Sequence, residues 1–257
     1  MVIRNVRLVW RILRTGLAFA LIFGGGAIIA VTAFPLMRLV TTADRGRGRF
    51  QYVIHLLFRG YVWLLQALRL LDLEVIGRDK LRTINGRMIV ANHPSLLDVV
   101  VLMALVRRTQ CIVKKELWDS WALGRLVRGV GFIRNDLEPE AMLYACRASL
   151  AAGENLIIFP EGTRSVQGEP LKFRRGFANL ATLLQVEIQL ITITCAPPTL
   201  VKGENWWKVP TRRPLFRVHV GDVVDAKSYT EGEFRSIASR RLVRDLEGYY
   251  AVQLGNG

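Results

Sequence analysis

The stretch Met88-Ile89-Val90-Ala91-Asn92-His93-Pro94-Ser95-Leu96-Leu97-Asp98 decides how the chain reads. Four apolar residues run into a polar turn, and a second apolar run, Leu96 to Val106, follows it. The first run reads as a short buried strand and the second as a buried helix. Pro94 is expected at or near the first helical turn, where its missing N–H costs little. Side chains in the turn then emerge at the end of a sheet. Asp98 is expected about a turn inside the helix. From the turn, the His93 ring can fold back towards Asp98. The carboxylate would hold one ring nitrogen as N–H and leave the other free as a base. The plainer alternative is a capping histidine beside a helix-surface aspartate.

Outward from this stretch, strand and helix patterns alternate. Leu73 to Gly77 reads as a strand, and Asn85-Gly86 as a turn into Met88. Gln110 to Val113 is a further strand, and Trp118, Trp121, Leu123, Leu126 and Val127 fit one short amphipathic helix. Gly129 to Ile133 suggests another strand, and Pro139 to about Ala152 a helix that Gly153 stops. Leu156 to Phe159 is a buried strand, followed by a helix to about Leu184. Strands at 188–195 and 215–224 follow, then a last helix to about Tyr250, opened by a Thr230-x-x-Glu233 capping box. This alternation predicts an α/β fold, a mixed, largely parallel sheet flanked by helices.

The first 73 residues differ. Arg4, Arg7, Arg11 and Arg14 recur at helical spacing among apolar residues, which suits a headgroup layer. From Thr15 to Met37 there is no charge, enough length to cross a bilayer core, which needs about 20 residues. Arg38, Arg45, Arg47 and Arg49 flank the far end, so basic residues stand on both sides and also fit a segment that dips in and returns. Gly24 to Gly26 and Pro35 allow a bend. Residues 50–73 form a second, amphipathic stretch interrupted by His55, Arg59, Gln66 and Arg69. The expectation is a two-helix unit, 1–73, seating an α/β domain, 74–257, on a membrane.

Composition points the same way. Over 257 residues the hydrophobic share is 51% and the formal net charge is +15. Basic and apolar together favour an anionic membrane surface over nucleic acid, so no nucleic-acid partner is expected. Cys111, Cys146 and Cys195 lie far apart in apolar settings and read as reduced thiols. With three histidines in all, a multi-histidine metal centre is not expected.

A second strand-end loop, Glu161-Gly162-Thr163-Arg164, packs an acid, a flexible backbone point and an arginine after a buried strand. Ligands of open α/β sheets bind outside the carboxyl ends of the strands. Arg164 offers a planar fork for phosphate or carboxylate oxygens, and Gly162 would let a backbone N–H approach an anion. Arg134, Arg174 and Arg175 also stand where apolar runs enter turns, and with Lys114 and Lys115 they form a candidate anion cradle. Surface turns with solvated cations are the plain alternative. No G-x-S-x-G elbow and no P-loop occurs, against a serine hydrolase of that design and against nucleoside triphosphate binding. The simplest chemistry is direct transfer: His93 takes a proton from a bound hydroxyl, whose oxygen attacks an activated acyl carbon.

Asn92-His93-x4-Asp98, Gly129-Val-Gly-Phe-Ile133, Phe159-Pro-Glu-Gly-Thr-Arg-Ser165 and Phe173-Arg-Arg-Gly176, in that order and spacing, resemble the glycerolipid acyltransferase family. Within it the likeness is to bacterial 1-acylglycerol-3-phosphate (lysophosphatidic acid) acyltransferases, over roughly residues 70–200. The resemblance implies a thioester donor, acyl-CoA or acyl-carrier protein, a lysophospholipid acceptor, no cofactor, and a place at the cytoplasmic face of a bacterial inner membrane. It implies His93 as base and Asp98 as its orienting partner. Glu161, Gly162 and Arg164 would sit on the acceptor's phosphate side, and Lys115 near the same pocket. Two departures fall on acceptor recognition: Asn135 stands where the family commonly has arginine, with Arg134 one place earlier, and the strand at 191–195 delays its proline to Pro197. Other acceptors (a lyso-aminolipid or a pigment-lipid head), a thioesterase, and a non-catalytic membrane adaptor are the competing readings.

Overall fold

The computed structural model describes residues 2–32, 43–121 and 124–255. Pro35, Arg38 and Leu123 lie outside them, as do the side chains of Arg4, Arg7, Arg45 and Arg47. The chain opens with helices α1 (Val2–Val31) and α2 (Ala43–Ala67) and strand β1 (Asp72–Ile76). Then come β2 (Met88–Ala91), α3 (Asp98–Leu105), β3 (Thr109–Val113), α4 (Lys115–Trp118), α5 (Gly124–Val130) and β4 (Ile133–Arg134). The rest is α6 (Pro139–Ala151), β5 (Asn155–Ile158), α7 (Arg175–Leu184), β6 (Glu187–Ala196), β7 (Leu215–Asp225) and α8 (Arg235–Gly255).

The seven strands form one sheet in the order β1-β7-β6-β2-β5-β3-β4. Every neighbouring pair is parallel except β6 with β7. The fold is therefore the expected α/β type, a mixed and largely parallel sheet between helices. β2 lies near the middle, and its four residues are all fully buried. Its alternation divides the core: Ile89 and Ala91 pack on the face covered by α1, α2, α3 and α5, and Met88 and Val90 on the face covered by α6, α7 and α8. A strand buried on both faces reads as one continuous apolar run, which is why this segment stood out. The carboxyl ends of β2, β5, β6, β3 and β4 share one edge.

Several local expectations are corrected. The helix after β2 begins at Asp98, not near Pro94, because the Asp98 carboxylate accepts the Ser95 N–H (2.7 Å) and closes a separate turn ahead of the helix. The single helix expected around 118–127 is two, α4 and α5, with Trp121 in a turn between them. Gly129 and Val130 end α5, leaving only Ile133–Arg134 as strand. The Thr230–Glu233 capping box does not form: the Thr230 hydroxyl donates to the Lys227 carbonyl (2.8 Å), Glu233 pairs with Arg241 (2.6 Å), and α8 starts at Arg235. The basic stretch and the described part of the uncharged one make one helix, Val2–Val31, that runs unbroken through Gly24–Gly26.

α2 buries two polar residues and exposes several apolar ones. Gln51 and His55 are buried beside Ile54, Val62 and Leu65, and His55 Nδ1 lies 2.8 Å from the Met103 carbonyl oxygen. Tyr52, Leu56, Leu57 and Trp63 are exposed instead. α1 exposes Leu13, Leu17, Leu21, Phe23 and Ile28. Its span Leu8–Ile29, 22 residues, is long and apolar enough to cross a membrane, and 11% of its most apolar stretch is buried.

Candidate active site

Three loops at the shared sheet edge meet around His93. Asn92 ends β2 as a two-way clip to β6, with Nδ2 donating to the Ile193 carbonyl (2.8 Å) and Oδ1 accepting the Ile193 N–H (2.7 Å). That fixes where the turn leaves the sheet. His93 Nδ1 then lies 2.8 Å from Asp98 Oδ2. A carboxylate can only accept, so Nδ1 carries the proton and Nε2 is left with a free lone pair. Asp98 is fully buried, and the His93 side chain is 15% exposed. Among the described residues Asp98 Oδ1 has no hydrogen-bond partner. Burial pushes the Asp98 carboxyl above its ordinary range, opposed by the hydrogen bonds from His93 and Ser95. The other wall of the imidazole is Phe159, stacked with ring centroids 4.2 Å apart.

Glu161 does not stand free in the loop after β5. Its Oε1 accepts the backbone N–H of His93 (2.9 Å) and the hydroxyl of Ser165 (3.0 Å), while Ser165 N–H donates to the His93 carbonyl (2.8 Å). Burial raises its pKa, and those two donors pull it back. Arg164 Nη1 donates to the carbonyls of Leu200 (2.8 Å) and Val201 (2.9 Å) in the loop after β6. The same loop holds the His93 turn: Ser95 Oγ donates to Thr199 O (2.9 Å), and Leu96 N to Leu200 O (3.2 Å). Gly162 has φ 69°, and a Cβ there would meet Arg174 Nε at 2.8 Å. Its N–H donates to Phe159 O (3.0 Å), so it is engaged within the turn and not offered to an anion. Thr163 is exposed at the tip, and Arg174 and Arg175 are exposed at the start of α7.

Lys115 and Arg134 stand apart from this group. β3, which Lys115 follows, is two strands from β2, roughly 10 Å at the usual strand spacing, and β4, which ends at Arg134, is three, roughly 14 Å. Lys115 pairs with Asp119. Arg134 forks onto Asp136 through Nε (2.9 Å) and Nη2 (2.6 Å). Asn135 links the two corners of this patch, its Oδ1 accepting the Lys115 N–H (3.1 Å). Among the described residues, no group of three or more His, Cys, Asp or Glu side chains could hold a metal ion. Ser95, Phe159, Ser165 and the Thr199–Val201 backbone had no role assigned from sequence. Phe159 had a signal, as the last apolar residue before the turn; the others hold His93 through contacts distant in sequence.

A small cleft lies beside the turn, between Leu97, Thr199 and Leu200 on one side and Phe19, Tyr61 and Leu65 of the N-terminal helices on the other.

The Acyltransferase family model matches residues 72–195. A mouse protein named 1-acyl-sn-glycerol-3-phosphate acyltransferase alpha is 30% identical over 202 residues, 76% of this chain and 68% of that one. The chain belongs to the acyltransferase family. A 1-acyl-sn-glycerol-3-phosphate acyltransferase of Helicobacter pylori is 38% identical over 153 residues, 57% of this chain. The chain spans 65% of the Helicobacter protein's own length. The crystal structure of the 1-acyl-sn-glycerophosphate (LPA) acyltransferase PlsC from Thermotoga maritima superposes with a TM-score of 0.69. That likeness, at 21% identity, covers 96% of this chain and 98% of that one, and it is one of fold. The family match holds His93, Asp98, Glu161 and Arg164. It stops before Thr199–Val201, the backbone that grips Ser95 and Arg164.

Proposed function

We propose that the protein is a membrane-bound O-acyltransferase that moves a fatty acyl group from a thioester donor to a lysophospholipid hydroxyl by direct transfer. The observation that carries this is the His93–Asp98 pair at 2.8 Å, with the aspartate fully buried and the imidazole at the rim of the sheet edge. His93 Nε2 takes the proton of the acceptor hydroxyl, and the oxygen attacks the thioester carbonyl carbon. As the tetrahedral centre collapses, the C–S bond breaks and the thiolate takes the proton from His93. General-base help of this kind contributes roughly 10²–10⁴-fold. The names of the relatives favour a 1-acylglycerol-3-phosphate acceptor.

Thr163, Arg164, Arg174 and Arg175 are assigned to the acceptor's phosphate, with Lys115 and Arg134 as an outer ring of charge. Glu161 is assigned to hold His93, since a carboxylate would repel a phosphate. The cleft between the turn and the N-terminal helices is assigned to the acyl chain, and Gly162 to the close packing of the loop on Arg174. The donor, acyl-carrier protein or acyl-CoA, is a substrate, and no cofactor enters. Residues 1–73 form the membrane-seating unit and 74–257 the catalytic one, at the cytoplasmic face of a bacterial inner membrane. Support for the seat comes from α1 and α2, which leave Leu13, Leu17, Leu21, Phe23 and Ile28 and Tyr52, Leu56, Leu57 and Trp63 exposed. Arg11 Nη1 is held by the Thr211 carbonyl (3.0 Å) and Tyr61 donates to the Ala18 carbonyl (3.2 Å), which ties the middle of α1 to the body and favours a helix lying in the membrane surface.

The test is purified protein with acyl-CoA or acyl-carrier protein and a panel of lyso-lipids. Ester product that needs the acceptor is expected. Thioester loss without any acceptor would mark a thioesterase and overturn the transferase reading.

A further inference from the structure

Five of the six tryptophans are exposed, Trp10, Trp63, Trp121, Trp206 and Trp207, with Trp121 at 93%. Large aromatic side chains are ordinarily well buried, and exposed tryptophans concentrate where a protein meets a lipid interface. Trp10 and Trp63 belong to the N-terminal helices. Trp206 and Trp207 belong to the β6–β7 loop, on the far side of the family match.

That loop, residues 201–213, carries Lys202, Lys208, Arg212 and Arg213 against one acid, Glu204. Lys208 pairs with Glu204, and Arg213 with Asp72, leaving Lys202 and Arg212 exposed beside the tryptophans. The loop is continuous with the apolar helix α1. Trp206 packs over Phe19 with ring centroids 5.8 Å apart, a Cβ on Gly16 would lie 3.3 Å from Trp206, and Arg11 reaches Thr211 at 3.0 Å. Trp207 stands edge-on to Trp206 at 5.6 Å. The same connection begins with Thr199, Leu200 and Val201, the carbonyls that hold Ser95 and Arg164.

We infer that the β6–β7 loop is a second membrane-docking element, Trp206 and Trp207 entering the headgroup layer of an anionic bilayer while Lys202 and Arg212 face its phosphates, so that the loop holding the catalytic turn is itself seated on the lipid surface. The inference rests on the membrane reading above and adds a contact from the catalytic domain. A paired aromatic and basic loop suits this occupant: the rings take the apolar boundary and the cations the surface potential.

The full chain is tested on phosphatidylglycerol–phosphatidylcholine vesicles whose acyl chains are brominated near the carbonyl end. The difference emission between wild type and Trp206→Phe/Trp207→Phe is the emission of the two loop tryptophans. It is expected to fall by at least half on brominated vesicles. Lys202→Gln/Arg212→Gln is expected to lower partition onto the anionic vesicles about fivefold per charge, with a smaller loss of salt dependence on further substitution. Circular dichroism of both variants checks the fold. A difference emission that the bromines leave unchanged, in a wild-type protein that still binds the vesicles, overturns this inference alone. Wild-type protein that fails to bind any vesicle overturns it together with the membrane reading.

Discussion

Two corners of one sheet edge hold charge in opposite ways. At the ends of β2 and β5, His93, Asp98 and Glu161 are enclosed, and each polar contact comes from a loop fixed by backbone. At the ends of β3 and β4, Lys115, Asp119, Arg134 and Asp136 are open to solvent and satisfy one another. In the first corner the carboxylates have no guanidinium or ammonium partner among the described residues, and burial raises both their pKa values. In the second, Lys115 and Arg134 lower the pKa values of Asp119 and Asp136. A buried charge without a full partner is costly and persists where chemistry needs it; an exposed ion pair holds little energy and is easily exchanged. The difference separates the corner proposed as the reaction centre from a charged surface, although both are strings of polar residues at strand ends.

The sharpest way to break the comparison is to neutralise the buried corner. His93→Ala and Asp98→Asn should each lower turnover by about 10²–10⁴-fold with the circular dichroism spectrum unchanged. A variant of either kind that turns over at the wild-type rate would remove the catalytic assignment. Asp98→Asn carries a second signature. A carboxyl whose pKa is raised on folding binds more protons in the native state than in the unfolded one. Its contribution to stability therefore declines as pH rises through the window between the ordinary carboxylate value and the raised one. Above that window Asp98→Asn should melt at or above the wild-type temperature, and below it the two should converge. A melting temperature that drops sharply in the variant at neutral pH would show that the ionised aspartate stabilises the fold.

Glu161 gives the next effect. Glu161→Ala leaves the His93 N–H and the Ser165 hydroxyl without their acceptor, a loss of about 1–3 kcal/mol in stability. Turnover should fall with it, while Glu161→Gln, which keeps an accepting oxygen, should restore most of the rate. If the Gln variant is as poor as Ala, the negative charge and not the hydrogen bond matters.

The exposed corner should respond least. Lys115→Gln and Arg134→Gln should leave kcat and the melting temperature unchanged and raise KM for an anionic acceptor modestly, with the increase fading as salt screens it. A fall in kcat would place one of them at the reacting atoms and erase the contrast between the corners.

Much of the fold was legible before the structure because it rests on periodicity. Met88 to Ala91 reads as a strand enclosed on both faces, and the alternation of apolar runs predicts the layered sheet. The helix ends were less legible. Asp98 starts α3 because its side chain turns back to Ser95, and Thr230 fails as a cap because its hydroxyl is already held by Lys227. Such choices between two hydrogen bonds of similar strength are made by neighbours that a pattern of residue types does not contain.

By itself the sequence determined the strand and helix types, the apolar N-terminal helix and the pairing of His93 with Asp98, because each depends on residues within a few turns of one another. Only the tertiary structure decided what Glu161 and Arg164 hold, how α2 faces, and that Lys115 and Arg134 lie apart from His93. The physical reason is sequence distance. His93 meets Glu161 from 68 residues away, and Ser95 meets Thr199 from 104. Contacts of that span form when the sheet order brings strand ends side by side, and that order is a property of the packed core rather than of any one segment.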